Sequence, residues 1–418
     1  MGQPNESLRE ARLRTASRRA PGEPMSRSEL ASAVSSWLWR ETGKRHDLDP
    51  HLLAKWERGA VRRPSGPYRA ALRAVLGASS DAELGFVPTR SAADEVPVEP
   101  AEAVLDPIGP GSADGGPPAD ADFVASLRGA IAQFVRMDSL LGSGEVVDAV
   151  VRRFRDAQRV LASGRYRVEV ERDLEAATAE LGEVAGWMLI DAQRHDEARL
   201  INSEALMLAQ IAGDTSMQWF ILSNQALAGT YSGRQREALR ISERFGEEPR
   251  VPIRVRALFR LRQARALGHL GDESAARSAF DRARATFGDG VSNRDPAWAW
   301  WFNARELDGH AGSMYASLGR HAEALPLLSS AVDLAAGRES QRWALYIHRA
   351  CLLDSALAAG AVAEAERAAI AVAPMLGQMH SVRTENRLRR AVARGPGEAL
   401  PSTLSDVLDH IRHRLPPR

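Results

Sequence analysis

The sequence is poor in several features that define common classes of protein. It contains a single cysteine, Cys351, which excludes an intrachain disulfide and a thiolate metal cluster. Lysine occurs only at Lys44 and Lys55, so the basic residues are nearly all arginine, and such a bias reflects codon usage better than nucleic-acid binding. No apolar run is long enough to span a membrane, and residues 1–20 lack the apolar stretch of a signal peptide. A cytoplasmic protein without a membrane segment is expected.

Signatures of catalysis and metal binding are also absent. The sequence contains no H-E-x-x-H, P-loop, G-x-S-x-G or dinucleotide-binding pattern, and its ten histidines are scattered. His410 and His413 lie three residues apart in a basic segment, but further metal ligands are missing, so both are expected at the surface. Cys351 is expected to be buried and inert. We therefore predict that the protein is not an enzyme and uses no metal or cofactor.

Length and charge divide the chain into regions. At 418 residues it is too long for one ordinary hydrophobic core. Residues 1–86 carry 15 Lys and Arg against 10 Asp and Glu, whereas residues 87–118 carry one Arg against six acids. Seven prolines fall within 87–121, a composition with almost nothing to bury. We predict a domain over 1–86, a flexible acidic linker over 87–121 and a second domain over 122–418.

The stretch from Asp49 to Ser65 reads as a short amphipathic helix with a basic exit. Asp49 is a suitable N-cap, Pro50 suits the first helical position, and Gly59 ends the helix. Apolar residues at three- and four-residue spacing define its buried face: Leu52, Leu53 and Trp56. The remaining polar and basic positions are free to contact a partner: His51, Lys55, Arg58, Arg62 and Arg63. A helix with this pattern suits the major groove of DNA.

These residues carry a resemblance to a known family. KWERG over Lys55–Gly59 resembles the end of the recognition helix in repressor-type helix-turn-helix domains, the Xre/Cro family. MSRSELA over Met25–Ala31 resembles the first motif helix, and its Ser26 and Glu29 form a capping box. This chain inserts additional residues between the two helices. Together with the region from Tyr68 onward, it is similar to actinobacterial regulators that carry tetratricopeptide repeats.

The resemblance implies specific roles in binding a double-stranded DNA operator. His51 and Lys55 match base-reading positions, and Arg27 matches a contact at the start of the first motif helix. The other expected DNA contacts are Arg58 and, at positions that match phosphate or minor-groove contacts after the recognition helix, Arg62 and Arg63. In this family an arginine of the first helix often pairs with the glutamate that corresponds to Glu57. The sequence leaves three possibilities open: pairing with Arg12, pairing with Arg14, or a solvated Glu57.

The region after the linker contains a repeated turn. The pattern G-x-x-x-x-A recurs in four places, with a fifth copy that has glutamine for glycine: Gly233–Ala238, Gly271–Ala276, Gly319–Ala324, Gly360–Ala365 and Gln193–Ala198. The alanines are 40, 38, 48 and 41 residues apart. This resembles the tetratricopeptide repeat, whose period is about 34 residues. We predict an all-α protein, in which a helix-turn-helix domain precedes an α-solenoid of five repeats with flanking helices.

The first helix of each repeat is expected to line a concave groove. The inward positions given by the register include Glu183, Asp191, Asn224, Tyr231, Arg262, Arg265, His269, Glu306, His310, His348 and Asp354. Amides among them suit a peptide backbone and arginines suit a carboxylate. The groove is thus a candidate site for a peptide or small-molecule effector, although a solvated inner face in a domain that only dimerises is equally compatible. The aromatic residues Trp298, Trp300, Trp301 and Phe302 are expected in the core or an oligomer contact rather than a ligand pocket.

The resemblance and the repeats together predict a transcriptional regulator. It would bind DNA specifically in the nucleoid, as a homodimer held by the repeat domain, and the repeat domain would sense a signal or peptide. The alternative is a protein–protein adaptor whose helix-turn-helix domain no longer binds DNA. A regulator that binds another transcription factor through the groove is a third possibility.

Overall fold

The structure of the protein, a computed structural model, describes ten segments of the chain: residues 5–17, 24–42, 48, 50–58, 64, 66–86, 118–288, 294–336, 342–394 and 400–416. Within them the regular elements are α-helices and short 3-10 turns, and the only extended pairings are isolated bridges. The all-α prediction is confirmed. The chain divides into two compact units, Met1–Val98 and Glu99–Arg418.

In its described residues, the first unit contains four α-helices and a 3-10 turn over Ala82–Leu84: α1 (Glu6–Arg14), α2 (Arg27–Thr42), α3 (Pro50–Glu57) and α4 (Gly66–Leu76). Its core combines apolar residues from all of these elements, with Leu8, Leu30, Leu53 and Leu72 fully buried. Helix α1 ends at Arg14, because Thr15 is extended and its carbonyl accepts from the Met25 N–H.

The predicted apolar back of α3 faces this core. Leu53 and Trp56 are buried, and Leu52 is half-buried. Part of the predicted capping box is also present, because Ser26 Oγ accepts from the Glu29 N–H at 3.1 Å. The predicted cap Asp49 and the terminating Gly59 lie outside the described residues.

The second unit contains fourteen helices in the described segments: α5 (Ala121–Leu141), α6 (Val147–Ser163), α7 (Glu171–Asp191), α8 (His195–Ile211), α9 (Thr215–Tyr231), α10 (Gln235–Gly246), α11 (Ile253–Leu270), α12 (Glu273–Gly288), α13 (Ala304–Ser317), α14 (His321–Ala335), α15 (Arg342–Ala358), α16 (Val362–Val372), α17 (Val382–Ala393) and α18 (Ser402–Arg414). Helix α5 begins within the range predicted as linker, because the Asp120 side chain caps it and Ala119 pairs with the backbone of Arg165 and Arg167.

Five helical hairpins follow one another from α7–α8 to α15–α16, in agreement with the five predicted repeats. Each hairpin turns at the residue that the repeated pattern identifies. The four glycines have φ between +68° and +79°, and Gln193 has φ +59°, so all five adopt the left-handed conformation that ends a helix. The alanine five residues later is fully buried in every copy, which lets the second helix approach the first closely. An inter-repeat turn at Gly213, with φ +70°, escaped the sequence pattern.

The second unit also brings its two ends together. Helix α17 packs against α7, and α15 packs against α5. Between them the His380 N–H donates to the Leu141 carbonyl at 2.7 Å, and the Gly144 N–H donates to the His380 carbonyl at 3.0 Å. Gly142 is required at this junction, because its φ is +85° and a Cβ would collide with the His380 carbonyl. The inner side of the repeats is therefore closed by α17.

Candidate functional site

A cavity of about 50 Å³ lies on the inner side of the repeats. Helices α7, α9, α11, α13 and α15 contribute one or more side chains to its wall, and α17 closes it from the opposite side. Its lining includes Trp187, Tyr231, Arg265, Glu306, His310, Trp343, His348, Cys351, Arg383 and Arg387. The sequence predicted a concave groove here, whereas the structure has a small, partly open cavity with half-buried residues at its rim, because α17 lies across the inner side.

Two arginines of α11 lie behind and beside the cavity. Arg262 and Arg265 are 1% and 2% exposed, as completely buried as the leucines of the core. Arg262 Nη1 lies 2.9 Å from His310 Nε2, and Arg265 Nη1 lies 2.7 Å from His310 Nδ1. Arg265 Nη2 also donates to the Tyr231 hydroxyl at 3.2 Å, and Arg262 stacks at 5.9 Å over the Trp301 ring.

Helix α17 supplies a further cation of the site. Arg383 pairs with the fully buried Asp191, with its Nε and Nη2 at 3.1 and 3.0 Å from Oδ1, and Nη1 donates to the Tyr231 hydroxyl at 3.1 Å. Its guanidinium lies 5.2 to 5.7 Å from the rings of Trp187, Tyr231 and Trp343. Such contacts stabilise a desolvated cation. Burial disfavours the charge, but Tyr231 and Asp191 raise the pKa of Arg383 above its usual value.

The remaining charges of the site occur in ion pairs. Arg387 Nη1 donates to Asp354 at 3.1 Å, and Asp354 also pairs with Arg394. Arg305 donates through two nitrogens to Glu306, at 2.8 and 3.1 Å. Burial raises the pKa of Glu306, but Arg305, His348 and Arg262 outweigh it and hold that pKa below the usual value, so the carboxylate is charged.

Several ionisable groups of the site have displaced pKa values. Burial lowers the pKa of His348 to about 4, and burial with the two α11 guanidiniums lowers the pKa of His310 well below its usual value. Both imidazoles are therefore neutral at pH 7. Burial would raise the pKa of Tyr231, but Arg265 and Arg383 outweigh it and lower the pKa to about 7. Burial and the nearby Arg265 lower the pKa of Arg262 to about 9, which leaves it charged at pH 7.

Most of the predicted groove residues do meet at this cavity or in its wall, although they were predicted from register alone. Their positions follow from the repeat, because equivalent positions of successive first helices share the inner side. Three predicted positions lie elsewhere. Asn224 is 1% exposed and donates to Glu183 between α9 and α7, and His269 is exposed at the end of α11.

Sequence reasoning missed the contribution of α17 and of two tryptophans. Arg383 and Arg387 lie four residues apart in VRTENRLRRAVA, a strongly amphipathic helix that the repeat pattern treats only as a flank. The amphipathic spacing shows that α17 has an apolar face and a charged face. It does not show which part of the protein the charged face packs against. Trp187 and Trp343 lie on first helices and do not match any position of the repeat pattern.

Other predicted features are placed as follows. Trp298 stacks on Phe220 with ring centroids 4.3 Å apart, and Phe302 is fully buried, so the aromatic segment belongs to the core where it is described. The side chain of Trp300 lies outside the described residues. Cys351 is buried on α15, and His410 and His413 lie on α18, where both are exposed.

One predicted DNA contact, Arg27, pairs with a buried carboxylate of the first unit. Glu57, at the end of α3, accepts from Arg12 Nε at 2.7 Å and from Arg27 Nε at 2.6 Å. Arg12 is thus the arginine of α1 that pairs with Glu57, which is buried rather than solvated. Burial raises the pKa of Glu57, but Arg12 and Arg27 outweigh it and lower that pKa.

Only some of the predicted DNA contacts are described. Arg27 is 45% exposed despite its ion pair, and Arg58 is exposed after α3. His51 and Lys55 belong to α3, but their side chains lie outside the described part of the chain, as do Arg62 and Arg63 entirely.

Among the described residues, no cluster of three or more His, Cys, Asp or Glu is placed to bind a metal, and no described helix is both long and apolar enough to cross a bilayer.

The architecture defines the chain as an all-helical protein with five stacked hairpins. No family model and no curated protein matches its sequence. Among solved structures, it is similar to a tetratricopeptide repeat protein from Parabacteroides merdae, with 13% sequence identity over 68% of this chain and 98% of that chain. The TM-score is 0.33, which is too low to support an inference about the function of this chain.

Proposed function

We propose that this chain is a sequence-specific DNA-binding transcriptional regulator, in which the first unit binds an operator and the repeat unit dimerises and receives a signal. The support is the set of contacts that fix the position of α3. Leu53 and Trp56 anchor the apolar side of this short helix, and Glu57 ties its end to α1 and α2. Because the apolar side of α3 is packed on the core, the opposite side has a fixed orientation. Insertion of a helix into the major groove requires such a fixed orientation.

In this proposal, His51 and Lys55 read base edges. Four of the arginines of the first unit contact the phosphate backbone: Arg27, Arg58, Arg62 and Arg63. The net basic charge of residues 1–86 adds affinity that does not depend on sequence. A dimer of the repeat unit would place two helix-turn-helix units on half-sites about one turn of DNA apart. The protein would then be found with the nucleoid.

The experiment is selection of bound fragments from random-sequence DNA with the full-length protein and with a His51→Ala/Lys55→Ala double variant. We expect a two-half-site motif for the natural sequence and its loss in the double variant. Arg9→Ala is the matched control, because Arg9 is a half-exposed cation of the same unit on α1. Recovery of no motif from the natural sequence, or an unchanged motif in the double variant, would contradict the proposal.

A second candidate, a protein–protein adaptor, is favoured by an exposed apolar stripe on α8. Leu200, Met207 and Ile211 are 56%, 53% and 61% exposed and lie seven and four residues apart along one helical face. The same stripe is a candidate contact for the homodimer of the regulator. Sedimentation of Leu200→Ser/Ile211→Ser against the natural sequence tests for self-association through it. A monomeric natural sequence that selects no DNA motif would favour the adaptor.

A further inference from the structure

The two buried arginines of α11 lack the partner that a buried cation requires. Arg383 and Arg387 each pair with a carboxylate, whereas among the described residues no carboxylate forms an ion pair with Arg262 or Arg265. The Nε of both is buried without a hydrogen-bond partner in the same part of the chain. The nearest negative groups are Glu306, which acts on Arg262 without forming an ion pair with it, and the Tyr231 hydroxyl, which accepts from Arg265. Two adjacent buried guanidiniums with no directly paired carboxylate point to a place for an anion.

Their shared neighbour cannot satisfy both arginines. His310 presents one ring nitrogen to each guanidinium, and Arg has N–H donors only. A neutral imidazole has one acceptor nitrogen and one N–H, so whichever tautomer is present, one of the two contacts sets a donor against a donor. A protonated imidazole would have no acceptor and would add a third positive charge. The contact is therefore unsatisfied in every protonation state of His310.

The neighbouring cavity provides space and further polar groups for an anion. Its 50 Å³ holds about three or four water molecules, at roughly 10–15 Å³ each, which corresponds to a carboxylate or phosphate group with little attached to it. Arg265, His310 and His348 line it, and His348 Nε2 is buried without a hydrogen-bond partner. A peptide main chain does not fit this space while α17 is in place.

We propose that Arg262 and Arg265, with the His310 ring between them and the cavity beside them, form a binding site for the oxyanion group of a small acid, a carboxylate or a phosphate. The anion accepts from Arg265, which lines the cavity, and leaves the acceptor nitrogen of His310 to Arg262, whose positive charge adds to the attraction. Guanidinium forks match the planar geometry of a carboxylate and also bind phosphate oxygens. The rings at the rim, Trp187 and Trp343, contact the remainder of the acid. This inference goes beyond the proposed DNA binding and does not depend on it.

The test uses the full-length protein and sodium acetate or sodium phosphate as probes, with sodium chloride at equal ionic strength as reference. Binding is followed by tryptophan fluorescence, since Trp187, Trp301 and Trp343 lie in or near the site, and by the anion-dependent rise in melting temperature. We expect a saturable response to acetate, phosphate or both, but not to chloride. Response to acetate alone identifies a carboxylate site, to phosphate alone a phosphate site, and to both a general oxyanion site.

Variants separate a binding role from a structural one. Arg265→Gln should raise the Kd about 10-fold or more, because a charged hydrogen bond is lost. Arg262→Gln should raise the Kd as well, because a buried positive charge near the anion is lost, whereas Arg367→Gln on the exposed face of α16 should leave it unchanged. His310→Ala should lower the Kd, because the anion no longer competes with the imidazole, and this holds even if an arginine variant fails to fold. An equal response to chloride, or a Kd indifferent to both Arg262→Gln and His310→Ala, would overturn the proposal. Neither result depends on DNA.

Discussion

At the scale of single residues, the structure uses buried charge in two different ways. In the first unit, Glu57 has two arginine partners and is completely satisfied. In the second unit, Arg262 and Arg265 share one neutral ring. The first arrangement fixes the position of a helix. The second leaves N–H donors of the two guanidiniums available to an anion.

Removal of the Glu57 carboxylate should destabilise the first unit. We expect Glu57→Ala to lower its free energy of unfolding by about 3 kcal/mol, because Arg12 stays buried without a carboxylate and keeps only its hydrogen bond to the Met25 carbonyl. Since the folded pKa of Glu57 is lowered, its contribution is present above the usual value of 4.5 and is lost as the pH falls through the folded pKa. Denaturant titration at pH 7 and at acid pH measures both effects. Glu6→Ala, an exposed acid of α1, is the control.

Tyr231 should ionise near neutral pH. Its pKa is lowered from 10.0 to about 7, so the folded protein binds fewer protons than the unfolded chain between those values. Relative to Tyr231→Phe, the natural sequence should therefore gain stability as the pH rises from about 7 to 10. A difference spectrum between the two proteins should show tyrosinate absorbance that appears near pH 7. Absorbance that appears only at the pH of ordinary tyrosine would contradict the arrangement of Arg265 and Arg383.

At the scale of elements, the turns and the helices place different demands on glycine. Gly319 ends α13 with φ +74°, and a Cβ there meets no neighbour, so Gly319→Ala should cost about 1 kcal/mol from backbone strain alone. Gly129 lies inside α5 with ordinary helical φ and open space around it, so Gly129→Ala should stabilise by roughly 0.5–1 kcal/mol. Thermal or denaturant unfolding of the two variants provides the comparison. If both variants changed the free energy of unfolding in the same direction, backbone strain at the turn would not be the cause of the change.

Helix α17 should depend on Arg383 for its position. Arg383→Gln leaves the fully buried Asp191 without its cation and removes the guanidinium from between the three aromatic rings. We expect faster amide hydrogen exchange in α17 and in the junction around Leu141 and His380, with little change in α12. Arg390→Gln, an exposed position of the same helix, is the control. Unchanged exchange in α17 would mean that its apolar contacts suffice.

At the scale of the whole molecule, the two units should be separable by protease. The sequence over 87–117 has the composition of a linker, and Arg90 is its single trypsin site. Brief trypsin treatment is expected to release two fragments that each unfold cooperatively, as followed by mass spectrometry and thermal unfolding. Arg90→Gln should slow the release. Loss of cooperative unfolding in either fragment after this single cut would contradict the division into two units.

Local signals in the sequence were sufficient for the class of fold and for the position of each hairpin. A left-handed turn at Gly271 or Gly360 is specified by the glycine itself, and the close approach at the following alanine by its small side chain. The inner register of Tyr231, Arg265 and His310 followed from the same repeat, because helical periodicity is a local property.

What the sequence by itself determined, therefore, was an all-helical chain, its five hairpins and the side chains that face inward. Only the tertiary structure decided what those side chains meet. The contact between α7 and α17 joins residues almost two hundred positions apart, as in the pair of Asp191 with Arg383. The small rotation from each repeat to the next sets whether the two ends meet, and no single repeat encodes that sum. The same closure turned an expected groove into a small cavity that Arg265 and His310 line.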